Sequence, residues 1–258
     1  MGEGLLERPD WDLPKGIHAF VTTRRGGNSK GPWAAFNLGL HVDDCKEDVL
    51  DNREQLLQAL RREATCTEIR IQWLEQIHGS DVCRIADKTL IPPPKADALH
   101  TSGKGIACCI MTADCLPVLF CSEDGLEIAV AHAGWRGLQA GVLENTVAAF
   151  AASPGQIRAW LGPAIGPCHF EVGPQVRDVF LSAPANEGKA AVAACFVPSQ
   201  QKGKWMADLY ALARLRLRNM GVNHIEGSTN CTVCHPEIWY AHRYSQPTGR
   251  FATLIVKV

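Results

Sequence analysis

Several things are scarce in this chain of 258 residues, and each scarcity closes a class of function. Charge of one sign is missing: 26 Lys and Arg stand against 27 Asp and Glu, a formal net charge of −1. No basic stripe interleaved with aromatics runs along the sequence, as tracking a phosphate backbone would require, so nucleic acid is not an expected partner. Long hydrophobic runs are missing too, and none approaches the roughly 20 apolar residues that a membrane span needs. The opening "MGEGLLERPDWDLPKG" lacks the charged and then apolar pattern of an export signal. A cytoplasmic location away from membranes is the expectation. Linkers rich in Gly, Pro or Ser and repeats of fixed period are absent, which points to one domain over residues 1–258. Histidine is limited to nine residues, none in an H-x-H pair.

What is present is apolar content, at 46 %, enough for a sizeable core, and 11 cysteines. In a reducing compartment cysteines are thiols or ligands rather than disulfides, and an odd number cannot pair off completely. "IHAFVTT" (17–23) reads as a strand halted by the loop "RRGGNSKGP". From Asp44, a good N-cap, Val49, Leu56, Leu57 and Leu60 fall on one helical face up to about Glu63. Short β-like runs follow at 69–74, 81–86, 105–112, 117–120 and 126–134. Helices are expected over 136–150 and 206–221, and "RFATLIVKV" closes the chain as a strand. Short strands broken by a few long helices, without regular βαβ alternation, predict an α/β chain of the α+β type: mixed sheets with helices on their outer faces.

The stretch "GIACCIMTADCLPVLFC" holds four cysteines. Cys108, Cys109 and Cys121 read as core packing, while Cys115 follows Asp114 at a break between two strands. His78 in "EQIHGSDV" and His132 in "AVAHAGWRG" stand likewise where strands meet loops. One thiolate with two imidazoles suits Zn²⁺ and leaves a fourth position for water or substrate. The gaps of 37 and 17 residues match no short ligand signature, so a second reading stays open, in which Cys115 is a nucleophile, His132 its base and Asp114 or Asp97 the orienting group. "CTVCH" (231–235) matches the c-type haem pattern, but without an export signal it reads as chance, with a Cys231/Cys234 redox pair or a second metal site as minor alternatives. Arg136 lies near the start of a helix, whose free amides attract anions. Arg53 reads as a solvated helix residue and Asn37 as a turn residue bonding its own backbone.

The segments "TTRRGGNSKGPWAAFNLGLH", "WLEQIHGSDV", "ADAL", "MTADCLPVLF", "AHAGWRGLQAGVLENTV", "AWLGPAIGPCHFEVG" and "TGRFATLIV" together resemble a bacterial family. It is known as polyphenol oxidase or laccase domain, as peptidoglycan editing factor, and as purine nucleoside phosphorylase with adenosine deaminase activity. The motifs run in order from Thr22 to Val256. The resemblance implies a monomeric α/β/β/α sandwich in which His78, Cys115 and His132 hold zinc beneath a purine nucleoside pocket. It implies catalytic roles for Cys115, Asp114 and His132, and substrate contacts from Asn37, Arg53, Gln76, Arg136 and Arg243. One departure is "WYAHRYSQPTGR", where Tyr244 replaces the second arginine of a "YSYRR"-like segment. His242 beside it reads as a packed or surface histidine.

Among the family's activities, laccase chemistry demands more histidine ligands than nine, several in H-x-H pairs, although copper could still enter a His/Cys site. Zinc chemistry fits both phosphorolysis of purine nucleosides (adenosine, inosine, guanosine, methylthioadenosine) by phosphate and hydrolytic deamination of adenosine. The H-x-E…P-C-x-x-C signature of cytidine-type deaminases is absent, so a deaminase here would be an independent solution. The alternative reading is a zinc amidase that edits peptidoglycan precursors.

Overall fold

The structure, a computed structural model, describes residues 4–182, 188–227 and 230–258. Two sheets face each other at its centre. The first has five strands in the order β1 (Leu6–Glu7), β2 (Ile17–Thr22), β14 (Phe251–Lys257), β6 (Ile106–Thr112) and β3 (Arg70–Gln72). Only β3 runs parallel to its neighbour. The second has six, in the order β13 (His224–Gly227), β9 (Ile157–Leu161), β7 (Leu116–Ser122), β8 (Ile128–Ala133), β5 (Ala98–Thr101) and β4 (Val82–Ile85), antiparallel at its centre and parallel at both edges. A small third sheet joins β10 (Glu171–Val172), β12 (Trp205–Ala207) and β11 (Phe196–Pro198).

The layers follow from the two-residue period of the strands. Ile106, Cys108 and Ile110 of β6 enter the layer between the sheets, where they meet Leu119 and Cys121 of β7 and Ile128 and Val130 of β8. The alternate residues Ala107, Cys109 and Met111 turn the other way and pack with Leu56 and Leu60 of α1 (Lys46–Glu63). On the far side, Val118, Phe120, Ala129 and Ala131 meet α2 (Trp135–Ala140), α3 (Val142–Val147), α4 (Pro174–Ser182), α5 (Lys189–Ala194) and α6 (Leu209–Asn219). Both faces of both sheets are thus covered, which is why β6, β7 and β8 read as continuous apolar runs. Each fully buried aliphatic side chain in these layers contributes about 1.5–3 kcal/mol of transfer free energy. The result is the expected α/β/β/α order, with Cys108, Cys109 and Cys121 as packing residues.

Two of the expected helices come out differently. The helix read over 136–150 is two short helices, because Gly141 adopts φ 95°, ψ 28° and turns the chain between α2 and α3. The helix read over 206–221 begins only at Leu209: Asp208 caps it by accepting the Ala211 amide at 2.9 Å, and Met206 and Ala207 belong to β12. Strands β5 and β9 and helix α4 were not expected from the sequence. No helix among the described residues is long and apolar enough to cross a membrane.

Candidate functional site

The chain passes from the first sheet to the second in the turn between β6 and β7, and Cys115 sits in that turn. His132 lies on β8, paired across from Pro117. His78 comes from the loop between β3 and β4. The ligand-type atoms of the three residues lie within 4.8 Å of one another, and the two imidazole rings meet edge to face at 4.8 Å. Two residues here hold left-handed backbone conformations that are unfavourable for side chains with a Cβ: His78 at φ 59° and Asp114 at φ 86°. Gly134 closes the back of the trio, since a Cβ there would stand 2.9 Å from Cys115 Sγ and 3.7 Å from His132 Nε2.

Asp97, fully buried just before β5, organises the set. Its carboxylate accepts the His132 Nδ1 proton at 2.8 Å and the backbone amides of His78 at 2.9 Å and Gly79 at 2.6 Å. One carboxylate therefore fixes the tautomer of one imidazole, leaving its Nε2 toward Cys115, and shapes the loop that carries the other. Burial pulls the Asp97 carboxyl upward, but these hydrogen bonds outweigh it and hold its pKa below the ordinary value. Burial also pushes the Cys115 thiol up, yet the His132 and His78 rings bring it down to about 6. Burial pushes the His132 imidazole down, and Cys115 followed by Asp97 reverse this and raise it to about 9. The pair thus favours a thiolate facing an imidazolium, and a divalent cation among the three residues can take the place of that proton.

Two chemistries fit this arrangement. Cys115, His132 and Asp97 form a nucleophile, base and orienter, with Asp97 rather than Asp114 as the orienting acid. His78 on the other side of the sulfur has no part in such a relay. It does complete a His₂Cys donor set with room for a fourth ligand, the pattern of a catalytic zinc site.

Asp114 supports the structure around the trio. Its carboxylate accepts the Thr232 hydroxyl at 2.6 Å and the Arg243 backbone amide at 2.6 Å, so it anchors the C-terminal segment beside Cys115. Asn37 is fully buried: it donates to Gly39 O and Asp44 Oδ2 and accepts from the Gly39 and Arg250 amides. Both donors of that amide are engaged within the fold, two of its bonds going to Gly39 in the turn two residues on. Gln76 clamps the end of β6 by donating to Met111 O at 2.9 Å and accepting from Met111 N at 2.8 Å. Arg136 is exposed and stacks on Trp135, 4.4 Å from the ring centre, on a helix of six residues.

Arg53 is half-buried rather than solvated; it donates to Leu38 O at 2.9 Å and lies 4.0 Å over the Trp73 ring. Arg243 is exposed and donates to Glu171 O at 3.0 Å. The charged neighbour absent from the sequence reading is Arg250, whose side chain lies across Gly39 and whose charge is felt by Cys115, Asp114, His41 and His242. Its only signal in the sequence is its place in "TGRFATLIV". Burial first, then the charges of Arg250 and Arg53, hold the His41 imidazole below its ordinary pKa and so neutral, and the two arginines supply the positive charge of the rim that Arg53, Arg250 and His41 form beside the trio.

The chain is similar in sequence and fold to known proteins. Residues 18–257 match the family model described as multi-copper polyphenol oxidoreductase laccase. A Pseudomonas aeruginosa protein named purine nucleoside phosphorylase is 47 % identical over 247 residues, 96 % of each chain. A purine nucleoside phosphorylase of Escherichia coli is 45 % identical over 247 residues, again 96 % of each. A crystal structure of a Neisseria meningitidis protein superposes with a TM-score of 0.88 at 41 % identity, covering 98 % of this chain and 99 % of the other.

Proposed function

Taking as premise that the chain belongs to the multi-copper polyphenol oxidoreductase laccase family, we propose that it is a zinc-dependent purine nucleoside enzyme. It splits adenosine, inosine, guanosine and methylthioadenosine with phosphate to give base and ribose 1-phosphate, and it deaminates adenosine to inosine. The observation that carries this reading is the His78, Cys115 and His132 donor set, oriented by Asp97 and placed beside the rim of Arg53, Arg250 and His41. The names of the relatives support the phosphorylase half.

The donor set fits zinc on its chemistry: one thiolate, two imidazoles, a carboxylate behind one of them, and a glycine where a Cβ would crowd the sulfur. When bound, zinc would supply a Lewis acid held by His78, Cys115 and His132. The chain's own residues do the rest. Asp97 holds His132 in one tautomer and His78 in its strained loop. Arg250 and Arg53, both desolvated and both donating to backbone carbonyls, draw the phosphate dianion to the trio. Asp114 keeps the segment carrying Arg243 against the turn of Cys115. Copper oxidase chemistry has weaker support, since nine histidines without an H-x-H pair do not supply a multi-copper cluster.

The test is to incubate the protein with adenosine, with and without phosphate, and to separate the products by chromatography. Adenine formed only with phosphate and inosine formed without it are the expected results. No turnover of any of the four nucleosides, together with amide cleavage of a peptidoglycan precursor, would replace this reading by the amidase one.

A further inference from the structure

On the far side of Asp114 from the metal trio lies a second convergence of soft donors, which the sequence shows only by half. Cys231 and Cys234 come from the C-x-x-C of the C-terminal segment, and Cys168 and His169 from the loop after β9. A parallel bridge between Ala164 and Cys231 brings the two segments together, and the Tyr210 hydroxyl fastens it by donating toward Gly162 O and Asn230 O and accepting the Ala164 amide. The three sulfurs and His169 Nδ1 all lie within 4.8 Å of one another.

Four of the six separations among these atoms are close to the edges of a tetrahedron. Four ligands around zinc, with Zn–S near 2.3 Å and Zn–N near 2.05 Å, stand about 3.8 Å apart sulfur to sulfur and about 3.6 Å apart sulfur to nitrogen. Here Cys168 Sγ and Cys234 Sγ are 3.7 Å apart, and His169 Nδ1 is 3.2, 3.5 and 3.6 Å from the sulfurs of Cys168, Cys231 and Cys234. Without a cation the cluster is held only by weak hydrogen bonds, since the ring nitrogen has one lone pair for three thiols and the remaining contacts, such as Cys168 to Cys234, run between sulfurs. A cation among them satisfies all four donors. The Gly166 amide donates to the Cys231 sulfur at 3.2 Å, which aims that sulfur into the cluster. Cys168, His169 and Cys234 are exposed, so an ion can enter from solvent.

We infer that Cys168, His169, Cys231 and Cys234 form a second, closed Cys₃His zinc site that clamps the loop after β9 to the C-terminal segment. Binding releases the thiol protons to solvent and leaves no open coordination position, which makes the site structural. Its position gives it a purpose. Thr232, next to Cys231, donates to Asp114, and Arg243 further along the same segment does so through its backbone amide. The clamp therefore holds in place the wall that Asp114 supports beside Cys115. His235, which completes the C-x-x-C-H string, is not a ligand; its ring lies against Trp239 and Glu237.

The test is elemental analysis of the full chain, purified without added metal, for wild type, Cys234→Ser, Cys168→Ser and Cys115→Ser. The site predicts about two zinc ions per chain in the wild type and about one in each single variant. In the wild type, alkylation of the exposed Cys168 and Cys234 should be slow and become fast on adding a chelator, a measurement that needs no variant to fold. Zinc content unchanged in Cys234→Ser and Cys168→Ser would overturn the inference. So would fast alkylation of both thiols before chelation, a Cys168–Cys234 disulfide in the mass of the purified protein, or copper as the bound metal.

Discussion

At the scale of single residues, Asp97 does most to define the site, and the sequence offers it only as one of two possible orienting acids beside Cys115. It stands 19 residues from His78 and 35 from His132 and becomes their common partner only because β5 pairs with β8. Asp97→Asn keeps the shape and removes the charge that fixes the His132 proton on Nδ1. Zinc affinity measured by chelator competition should fall roughly 10–100-fold; unchanged affinity would show that Asp97 only packs. Arg250 was hidden for a similar reason, since its backbone amide reaches Asn37 across 213 residues. Arg250→Ala should raise the KM for phosphate about tenfold or more, as loss of about 1.5–3 kcal/mol of charge-assisted hydrogen bonding requires, and should raise that for adenosine much less. Equal rises in both would place Arg250 outside the phosphate site.

At the scale of elements, periodicity was legible where a face repeats and illegible where a local backbone choice overrides it. The helix from Lys46 to Glu63 follows its Leu56 and Leu60 stripe, and the apolar runs around Cys108 and Leu119 became the central strands. Gly141 was not legible, because Leu143, Val147 and Phe150 keep helical spacing on one side of a break that lies in the backbone of the glycine. With nothing closer to its missing Cβ than Glu144 Oε2 at 3.7 Å, Gly141→Ala is strained by conformation alone. The cost should be about 1–2 kcal/mol, read in calorimetry as a fall in Tm of roughly 2–8 °C, with zinc content unchanged. A rise in Tm would mean that the α2–α3 corner does not need the left-handed turn.

At the scale of the whole molecule, the order helix, sheet, sheet, helix puts one continuous apolar layer between two sheets, and the turn at Cys115 is one of the places where the chain crosses from one to the other. The trio could be brought together from the sequence because each member stands where an apolar run meets a loop, while only the family resemblance favoured zinc ligands over a Cys115 nucleophile. The Cys168 and His169 half of the second cluster could not, since only the pairing of Ala164 with Cys231 places it there. A site assembled from β8, the β6–β7 turn and the β3–β4 loop depends on the whole fold being formed, so metal and turnover should be won or lost together. The most direct measurement follows zinc per chain and adenosine turnover side by side in wild type, Cys115→Ser, and wild type stripped by chelator and then given zinc back. The account predicts that phosphorolysis and deamination both vanish in Cys115→Ser and on stripping while the far-UV circular dichroism persists, and that added zinc restores them in wild type alone. Full nucleoside turnover by a folded Cys115→Ser protein, or by folded protein without metal, would contradict it.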